Sequence, residues 1–333
     1  MVDRVFLRSL KDTNYLKLFQ EGLEFIHFQE LLPSNGRVFL KLNLTFPEYR
    51  KGVMTNPQAV SDAILAIRDY TPNIYIGDSD SGGYNRFSMD EVYQTTGIQD
   101  IAQKNGVKII NLSKCERRLI QFSYKRQSFA LPLPVLLLDE IDLLVTMPVP
   151  KIHANTGVSL TFKNQWGCIP ENKDRLRLHP YFQHVILEVN KAVKAKAAII
   201  DGKYGLNKNG PMKGEPVQLD WVLLSNSLGS GAQVACDLMK IPLNSIPHLN
   251  YAKKLGWIPD RSLIQYNQEW QPFVREQFYL RRKLTDFPGY LAFHNSGIAY
   301  LAYFSPISEF LHRLLYLVRE PFYDYDRHRP QTK

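Results

Sequence analysis

Two hydrophobic periods alternate along the first half of the chain. In some segments apolar residues recur every three or four positions, as on one face of a helix, and in others they run together, as in a buried strand. The predicted elements are a helix over 15–32, a strand over 37–44, a helix over 57–68, a strand over 73–77, a helix over 90–105 that breaks near Gly97, and a strand over 107–112. This order predicts an α/β fold with a mostly parallel, doubly wound sheet.

The middle of the chain departs from this order and then resumes it. Residues 121–138 predict a β-hairpin excursion, because aromatic residues flank a polar turn. The further predicted elements are strands over 141–147, 197–200 and 221–224 and helices over 181–194, 232–239 and 245–255. We therefore expect residues 1–258 to form one α/β domain.

The segment after residue 258 has a different character. It is rich in aromatic residues, and residues 287–308 contain no Asp, Glu, Lys or Arg. Because Pro288, Gly297 and Pro306 interrupt this apolar run, we expect one or two helices packed on the main domain rather than a membrane-spanning helix. Residues 259–333 are thus predicted to be a C-terminal, aromatic and partly helical extension. Aromatic and basic residues together equally suit a membrane surface.

The amino-acid composition limits the kinds of partner that this chain is expected to bind. The 333 residues include 41 basic and 32 acidic side chains, a net charge of +9, which favours anionic partners. The usual nucleic-acid-binding motifs are absent, so no specific nucleic-acid partner is expected. The first residues are charged and lack a signal-peptide core, which predicts a cytoplasmic protein with membrane association left open. Cys115, Cys168 and Cys236 are far apart, so an intrinsic iron–sulfur cluster is not expected; the cofactor stays unknown and no metal ligands are assigned.

Four polar clusters follow predicted strands, and the first two lie in the N-terminal half. Lys41 and Asn43 alternate with apolar residues, which fits either a buried cation or a half-exposed strand. The glycine–serine loop over 77–83 offers backbone and hydroxyl donors to an anion, and its Asp78 is a candidate for acid–base chemistry. The alternative is an ordinary turn. Three further residues of this loop are candidate substrate-binding groups: Ser79, Ser81 and Gly82.

The third cluster is the densest. Lys151 and His153 share one face if their segment is extended, and Lys163 and Asn164 follow closely. A histidine that titrates near neutrality beside fixed positive charge suits acid–base work or anion binding. A desolvated lysine can act as an amine base or nucleophile. The alternative is a surface loop with scattered polar residues.

The fourth cluster follows the strand predicted to end at Ile200. It comprises Asp201, Lys203, Gly210 and Lys213 in a segment rich in glycine. The glycines and lysines fit a mobile lid that closes on an anion, or simply a solvated basic loop.

The four clusters are expected to meet, because ligands bind beyond the carboxyl ends of the strands in an open α/β sheet. The candidate catalytic residues are Lys151, His153, Lys163, Asp78 and Asp201. The candidate substrate-binding residues are Lys41, Asn43, Ser79, Ser81, Gly82, Asn164, Lys203, Gly210 and Lys213.

The motifs within these clusters resemble those of a bacterial family, the domain of unknown function 362. The similar runs are KLNL, GDSDSGG, TGVSLTFKNQWGCIP and GPMKGEP, in the family's order, and the resemblance extends over residues 38–258. It implies an α/β fold without naming a reaction. Some relatives carry a ferredoxin-like module, for which this chain lacks the cysteines. Relatives usually have two aspartates where this chain has Ser227 and Ala232, which puts any activity that depends on them in question.

Two classes of function fit these residues. The first is an enzyme that acts on a small anionic metabolite at a Lys/His/Asp site, with elimination, group transfer and racemisation all open. The alternative is a membrane-surface or cofactor-associated binding protein without catalysis, which would use the C-terminal extension and the net positive charge.

Overall fold

A computed structural model describes residues 2–11, 13–81, 87–124 and 127–318. Its fold is α/β, as predicted, and its main sheet contains ten strands. The strands of the structure are β1 Asp3–Ser9, β2 Val38–Lys41, β3 Ile74–Asp78, β4 Lys108–Asn111, β5 Arg117–Tyr124, β6 Gln127–Pro134, β7 Leu143–Thr146, β8 Lys151–His153, β9 Gly157–Ser159, β10 Ala195–Asn207, β11 Glu215–Ser225 and β12 Ile264–Tyr266. Strands β5 and β6 form the separate hairpin that the sequence predicts.

The order of the strands creates a switch in the direction of winding. The main sheet runs β12-β1-β11-β10-β7-β2-β3-β4, with β8 and β9 attached beside β10. From β2 the chain proceeds outward to β3 and β4, then returns to the other side of β2 to form β7 and β10. Strands β10, β7, β2, β3 and β4 are parallel, so their carboxyl ends share one edge. A crevice for a ligand is expected between β2 and β7, where the winding reverses.

Helices cover both faces of this sheet. The helices are α1 Tyr15–Phe25, α2 Pro57–Arg68, α3 Met89–Thr95, α4 Ile98–Lys104, α5 Asn172–Leu178, α6 Phe182–Ala192, α7 Leu228–Leu238, α8 Pro247–Lys254, α9 Phe287–His294, α10 Ser296–Tyr303 and α11 Ser308–Val318. Alternate residues of a strand face opposite sides, so Val38 and Leu40 join the core under α1 and α2 while Phe39 joins the core under α6 and α7. The result is a doubly wound sheet.

Local chemistry explains where several helices begin and end. Helix α2 begins at Pro57, whose missing N–H costs nothing in the first turn, and the side chain of Asn56 accepts a hydrogen bond from Gln58 N. Gly97 has a φ of 76°, a left-handed conformation that glycine adopts without strain, and it separates α3 from α4. These two features lie where the sequence pattern placed them.

Strand β10 is longer than predicted. It continues through Gly202 to Asn207 and pairs with antiparallel β11, so the expected loop after Ile200 is instead a strand. The partners of Tyr204 and Gly205 in β11 are Gln218 and Val217. Glycines in a strand indicate a close approach of neighbouring groups rather than a turn: a Cβ on Gly202 would lie 2.1 Å from the Trp221 ring.

The C-terminal extension contains three helices where one or two were expected. Asn295 caps α10 by accepting a hydrogen bond from Ile298 N and separates it from α9. Phe293 of α9 is 4% exposed, and its ring centroid lies 5.5 Å from that of Phe182 in α6. The extension therefore contacts the helical layer of the sheet. Among the residues described, no helix has the length and apolar character that a membrane crossing requires.

Candidate functional site

A cleft of about 580 Å³ opens at the carboxyl ends of β2, β3 and β7, where the winding reverses. Lys41, the last residue of β2, pairs in register with Thr146, the last residue of β7. The segment after β7 turns into β8, and the segment after β9 forms a 3₁₀ turn at Lys163–Cys168. These elements bring three of the four polar clusters, and part of the fourth, to one site.

A buried ion pair lies at the floor of the cleft. Lys41 Nζ is 2.6 Å from Asp78 Oδ1, and the two side chains are 1% and 7% exposed. Lys41 Nζ also donates to Leu42 O, while Asp78 Oδ2 accepts from Leu44 N. A Cβ at Gly167 would lie 2.8 Å from Asp78 Oδ1, so glycine is needed where the 3₁₀ turn crosses the pair. Lys41 is therefore the buried cation of the two alternatives left open by the sequence.

A chain of buried amides anchors the 3₁₀ turn. Asn164 Nδ2 donates to Lys41 O at 3.1 Å and to Thr146 Oγ1 at 2.9 Å. Thr146 Oγ1 in turn donates to Gln165 Oε1, and Gln165 Nε2 donates to Asn190 Oδ1 in α6. Because every member has a partner, this network fixes the turn relative to the ends of β2 and β7. Asn164 thus positions Lys163 at the cleft.

The amine of Lys151 lies in the cleft without a carboxylate partner among the described residues. Its Nζ donates to Asn43 Oδ1 at 3.1 Å and to Val53 O at 2.7 Å. Burial lowers its pKa to about 7, and the charges of Lys163 and Lys41 act in the same direction. In the neutral form both N–H groups of this amine are used by carbonyl oxygens, which leaves its lone pair free to accept a proton.

Lys163 is the second amine of the cleft. Burial, and then the neighbouring Arg175 and Lys41, lower its pKa to about 7. Its Nζ lies 5.9 Å from the centroid of the Phe182 ring, and no described residue forms a hydrogen bond or an ion pair with it. Lys163 is therefore free to bind or deprotonate a ligand.

His153 presents a defined tautomer. Its Nδ1 accepts from Asn155 N at 3.2 Å and from Thr156 N at 3.4 Å, so the proton of the neutral ring is on Nε2. Burial, and then Lys163 and Lys151, hold the pKa of His153 well below its ordinary value. At neutral pH this side chain is thus a neutral hydrogen-bond donor rather than a cation or a base.

Several buried donors of the cleft have no partner among the described residues. These are Ser79 Oγ, Trp166 Nε1 and Arg175 Nε, on side chains that are 3%, 5% and 6% exposed. Arg175 is otherwise held by Nη2, which donates to Asp80 O and Pro170 O. A buried polar group without a partner is costly, and such groups often mark the place of a ligand or an ordered water. These donors and the amines favour a negatively charged ligand.

Most of the predicted site residues line the cleft. They are Lys41, Asn43, Asp78, Ser79, Ser81, Lys151, His153, Lys163, Asn164, Gly210 and Lys213. Gly82 lies outside the residues that the structure describes. The close approach of the fourth cluster depends on Gly210, because a Cβ there would lie 1.8 Å from Ile152 O.

Asp201 and Lys203 were expected in the cleft and do not line it. The strand continues past Asp201, so its side chain packs beside α1 and α2 instead of ending at the crevice. Its carboxylate accepts from Tyr15 Oη at 2.7 Å, from Asn56 N at 2.9 Å and from Lys203 N at 3.2 Å. Asp201 therefore holds the beginning of α2 in place.

Some residues of the cleft have no sequence signal. Arg175 and His179 lie in and after α5, and helices do not follow the strand-end pattern used to find candidates. His179 stacks on Trp166 at a centroid distance of 5.7 Å, and burial lowers its pKa to about 3. The C-terminal extension also contributes to the lining, through Lys283, Thr285, Asp286, Gly289, Phe293 and Tyr303.

Metal and thiol chemistry have little support among the residues described. No group of three or more His, Cys, Asp or Glu side chains there could hold a metal ion. Cys168 is fully buried, and burial raises the pKa of its thiol to about 12, which makes it a poor nucleophile.

Ser227 and Ala232, at which the family resemblance led us to expect aspartates, do not line the cleft. Ser227 is the N-cap of α7, where its hydroxyl accepts from Gly229 N and Ser230 N. Ala232 is completely buried in the core under this helix. In this chain the two positions therefore contribute to the helix and its packing.

The fold and the cleft define an α/β protein with a lysine-lined cleft at the switch point of its sheet. The chain belongs to the family described as domain of unknown function (DUF362), whose model matches residues 38–237. A thylakoid-associated protein of Synechocystis is 26% identical over 235 residues, which cover 67% of this chain and 69% of that protein.

Two solved structures show a low level of similarity to this chain. The lactate racemase apoprotein of Thermoanaerobacterium thermosaccharolyticum superposes with a TM-score of 0.47 and 12% identity, over 72% of this chain and 57% of that one. A protein from Thermotoga maritima superposes with a TM-score of 0.37 and 12% identity, over 61% of this chain and 54% of that one. This chain thus spans little more than half the length of either structure.

Proposed function

We propose that the cleft binds a small anionic metabolite and moves a proton on it. The observation that carries this proposal is the placement of two lysine amines, Lys151 and Lys163, in one cleft without a carboxylate partner among the described residues. A lysine whose pKa lies near 7 is present in both protonation states at neutral pH, which is what a general acid–base group needs.

The groups around these amines divide the work. Arg175 and the donors of Ser79 and Trp166 bind the negative charge of the ligand, since each has a polar atom without a partner among the described residues. The Nε2–H of His153 donates to an oxygen that gains negative charge as the reaction proceeds. Lys163, whose Nζ is not bonded to any described residue, takes the proton.

Removal of a proton next to a carboxylate or carbonyl is a step that elimination and racemisation share. The two amines can hold the proton at different places in the cleft, and an enolate-like anion formed between them is stabilised by the surrounding donors. Group transfer needs a second substrate, so we favour elimination or racemisation as the reaction at this site. The proposal therefore concerns the proton-transfer step.

The experiment measures binding and exchange separately. The shift in Tm on addition of inorganic phosphate, butyl phosphate, butyrate and 2-hydroxybutyrate tests binding, because a ligand of the folded state raises Tm. NMR in D₂O follows loss of the proton next to the carboxylate. We expect Lys163→Met to abolish the exchange and to weaken binding, while Lys203→Met, a lysine on β10 outside the cleft, leaves both intact. Equal behaviour of the two variants would contradict the proposal.

A second candidate is peripheral association with a membrane without catalysis. The name of the thylakoid-associated relative supports it, and so do the exposed apolar side chains of α11, among them Phe310 and Leu317. Sedimentation with anionic vesicles at low and high salt tests it, because binding driven by charge weakens with salt.

A further inference from the structure

The three C-terminal helices, with the turn between α10 and α11, expose many large apolar side chains. Eight of them are between 46% and 80% exposed, and we call this set the outer apolar surface: Phe287, Leu291, Tyr300, Leu301, Ile307, Phe310, Leu314 and Leu317. On α11, Phe310, Leu314 and Leu317 are spaced four and three residues apart and so share one helix face. A large exposed apolar surface marks a place of interaction.

The charge of the segment indicates an anionic lipid surface as its partner. Residues 279–318 contain four basic residues and two acidic ones, and none of these lies within 287–308. Each of α9 and α10 has only eight residues, so these helices can lie on a bilayer and are too short to cross it. A second copy of this chain would bring the same positive charge, whereas an anionic membrane brings the opposite one.

The inner side of the same helices forms one wall of the cleft. Gly289 and Phe293 of α9 and Tyr303 of α10 line it together with the polar groups of the floor. The Phe293 ring centroid is 4.6 Å from that of His179 and so extends the aromatic stack of Trp166. The cleft therefore has polar and charged groups at its floor and aromatic residues of α9 and α10 in its wall, and the same helices carry the outer apolar surface.

We propose, building on the proposed function, that the substrate is an anionic amphiphile taken from a membrane surface on which α9–α11 lie. The anionic head binds at Arg175, beside Lys163, and the apolar chain passes along Phe293 towards the outer apolar surface. A substrate of this kind uses both the charged and the aromatic side of the cleft.

One experiment tests the outer apolar surface. The full chain is sedimented with vesicles of phosphatidylcholine alone or mixed with phosphatidylglycerol, and compared with the triple variant Phe310→Ser, Leu314→Ser, Leu317→Ser. The control variant is Leu119→Ser with Leu263→Ser, which removes two leucines that are 59% and 66% exposed outside the three helices. We expect the triple variant to lose binding to anionic vesicles by about ten-fold or more and the control to bind normally.

A second experiment tests the substrate class. Calorimetric titration compares butyl phosphate with dodecyl phosphate below its micelle concentration. Since each buried CH₂ contributes to binding, we expect the longer chain to bind about 100-fold more tightly even if only part of it is covered. Phe293→Ala should reduce this ratio, whereas Lys163→Met should weaken both ligands to a similar degree.

The outcomes separate this proposal from the one on which it rests. If butyl phosphate binds and dodecyl phosphate binds no more tightly, the amphiphile is refuted while the anion site stands. If neither binds, both proposals fail. If dodecyl phosphate binds tightly and Lys163→Met does not weaken that binding, the ligand associates as a detergent does, and the proposal is wrong. The proposal is also wrong if the wild-type protein does not bind vesicles and instead forms dimers that the triple variant cannot form.

Discussion

Replacing Asp78 by asparagine should destabilise the protein more than any change of similar size on its surface. The substitution leaves Lys41 buried and charged without its counter-ion, at a site where the two side chains are 1% and 7% exposed. Breaking a buried pair by removing one partner costs about 3–5 kcal/mol, because the other charge stays desolvated. Asparagine has nearly the shape of aspartate, so this loss reflects charge rather than a cavity.

Urea unfolding followed by circular dichroism measures the effect. With a denaturant slope of about 3 kcal/mol/M, a loss of this size lowers the midpoint by about 1–1.7 M. The control is Asp139→Asn, which breaks a solvent-exposed ion pair with Arg118 whose side chains are 51% and 48% exposed, so the midpoint should move far less than in Asp78→Asn.

A double variant measures the interaction between the two charges directly. Lys41→Met combined with Asp78→Asn removes both charges, so its loss should be clearly smaller than the sum of the two single losses. If the losses in the free energy of unfolding simply add, the two charges do not interact strongly. The same conclusion follows if Asp78→Asn changes this free energy by less than about 1 kcal/mol.

Three further predictions concern the cleft. Lys163 loses its proton near pH 7 when folded and near pH 10.5 when unfolded, so stability should rise over this interval and rise less in Lys163→Met, as melting temperature against pH will show. Gly210→Ala should cost about 1–3 kcal/mol or more in urea unfolding through its clash with β8, whereas Gly289→Ala, which meets no atom within 4 Å, should not destabilise. Phe293→Ala should cost about 3 kcal/mol and increase proteolysis of the extension, and an unchanged cleavage rate would argue against its packing role.

The sequence predicts those parts of the fold whose signal is local. The N-terminal end of α2 depends on Asn56 and Pro57, and the break between α3 and α4 depends on Gly97, so neighbouring residues suffice to locate them. The extension of β10 to Asn207 has no such signal. Its glycines predict a loop, and the segment forms a strand only because it pairs with β11.

The residues of the candidate site also divide into those that a sequence pattern locates and those that it does not. Lys41, Asp78 and Lys151 were found because the carboxyl ends of parallel strands meet at one edge of a sheet. The same rule failed for Asp201, because its strand does not end there. Arg175 was missed for the opposite reason, since it reaches the cleft from a helix, and a basic residue on a helix is most often solvated.

The pairing of the first strand has a consequence for the order of assembly. Strand β1 lies between β11 and β12, and the side chain of Asn267 bonds both backbone groups of Leu7 although the two residues are 260 positions apart. During synthesis on the ribosome β1 emerges before the other described strands of the sheet, while the strands that flank it emerge after all the others of that set. Contacts between such distant residues carry a large loop-closure entropy and form slowly. Strand β1 thus waits for partners that are made much later, and until then its apolar residues Val5 and Leu7 are open to aggregation or to chaperones.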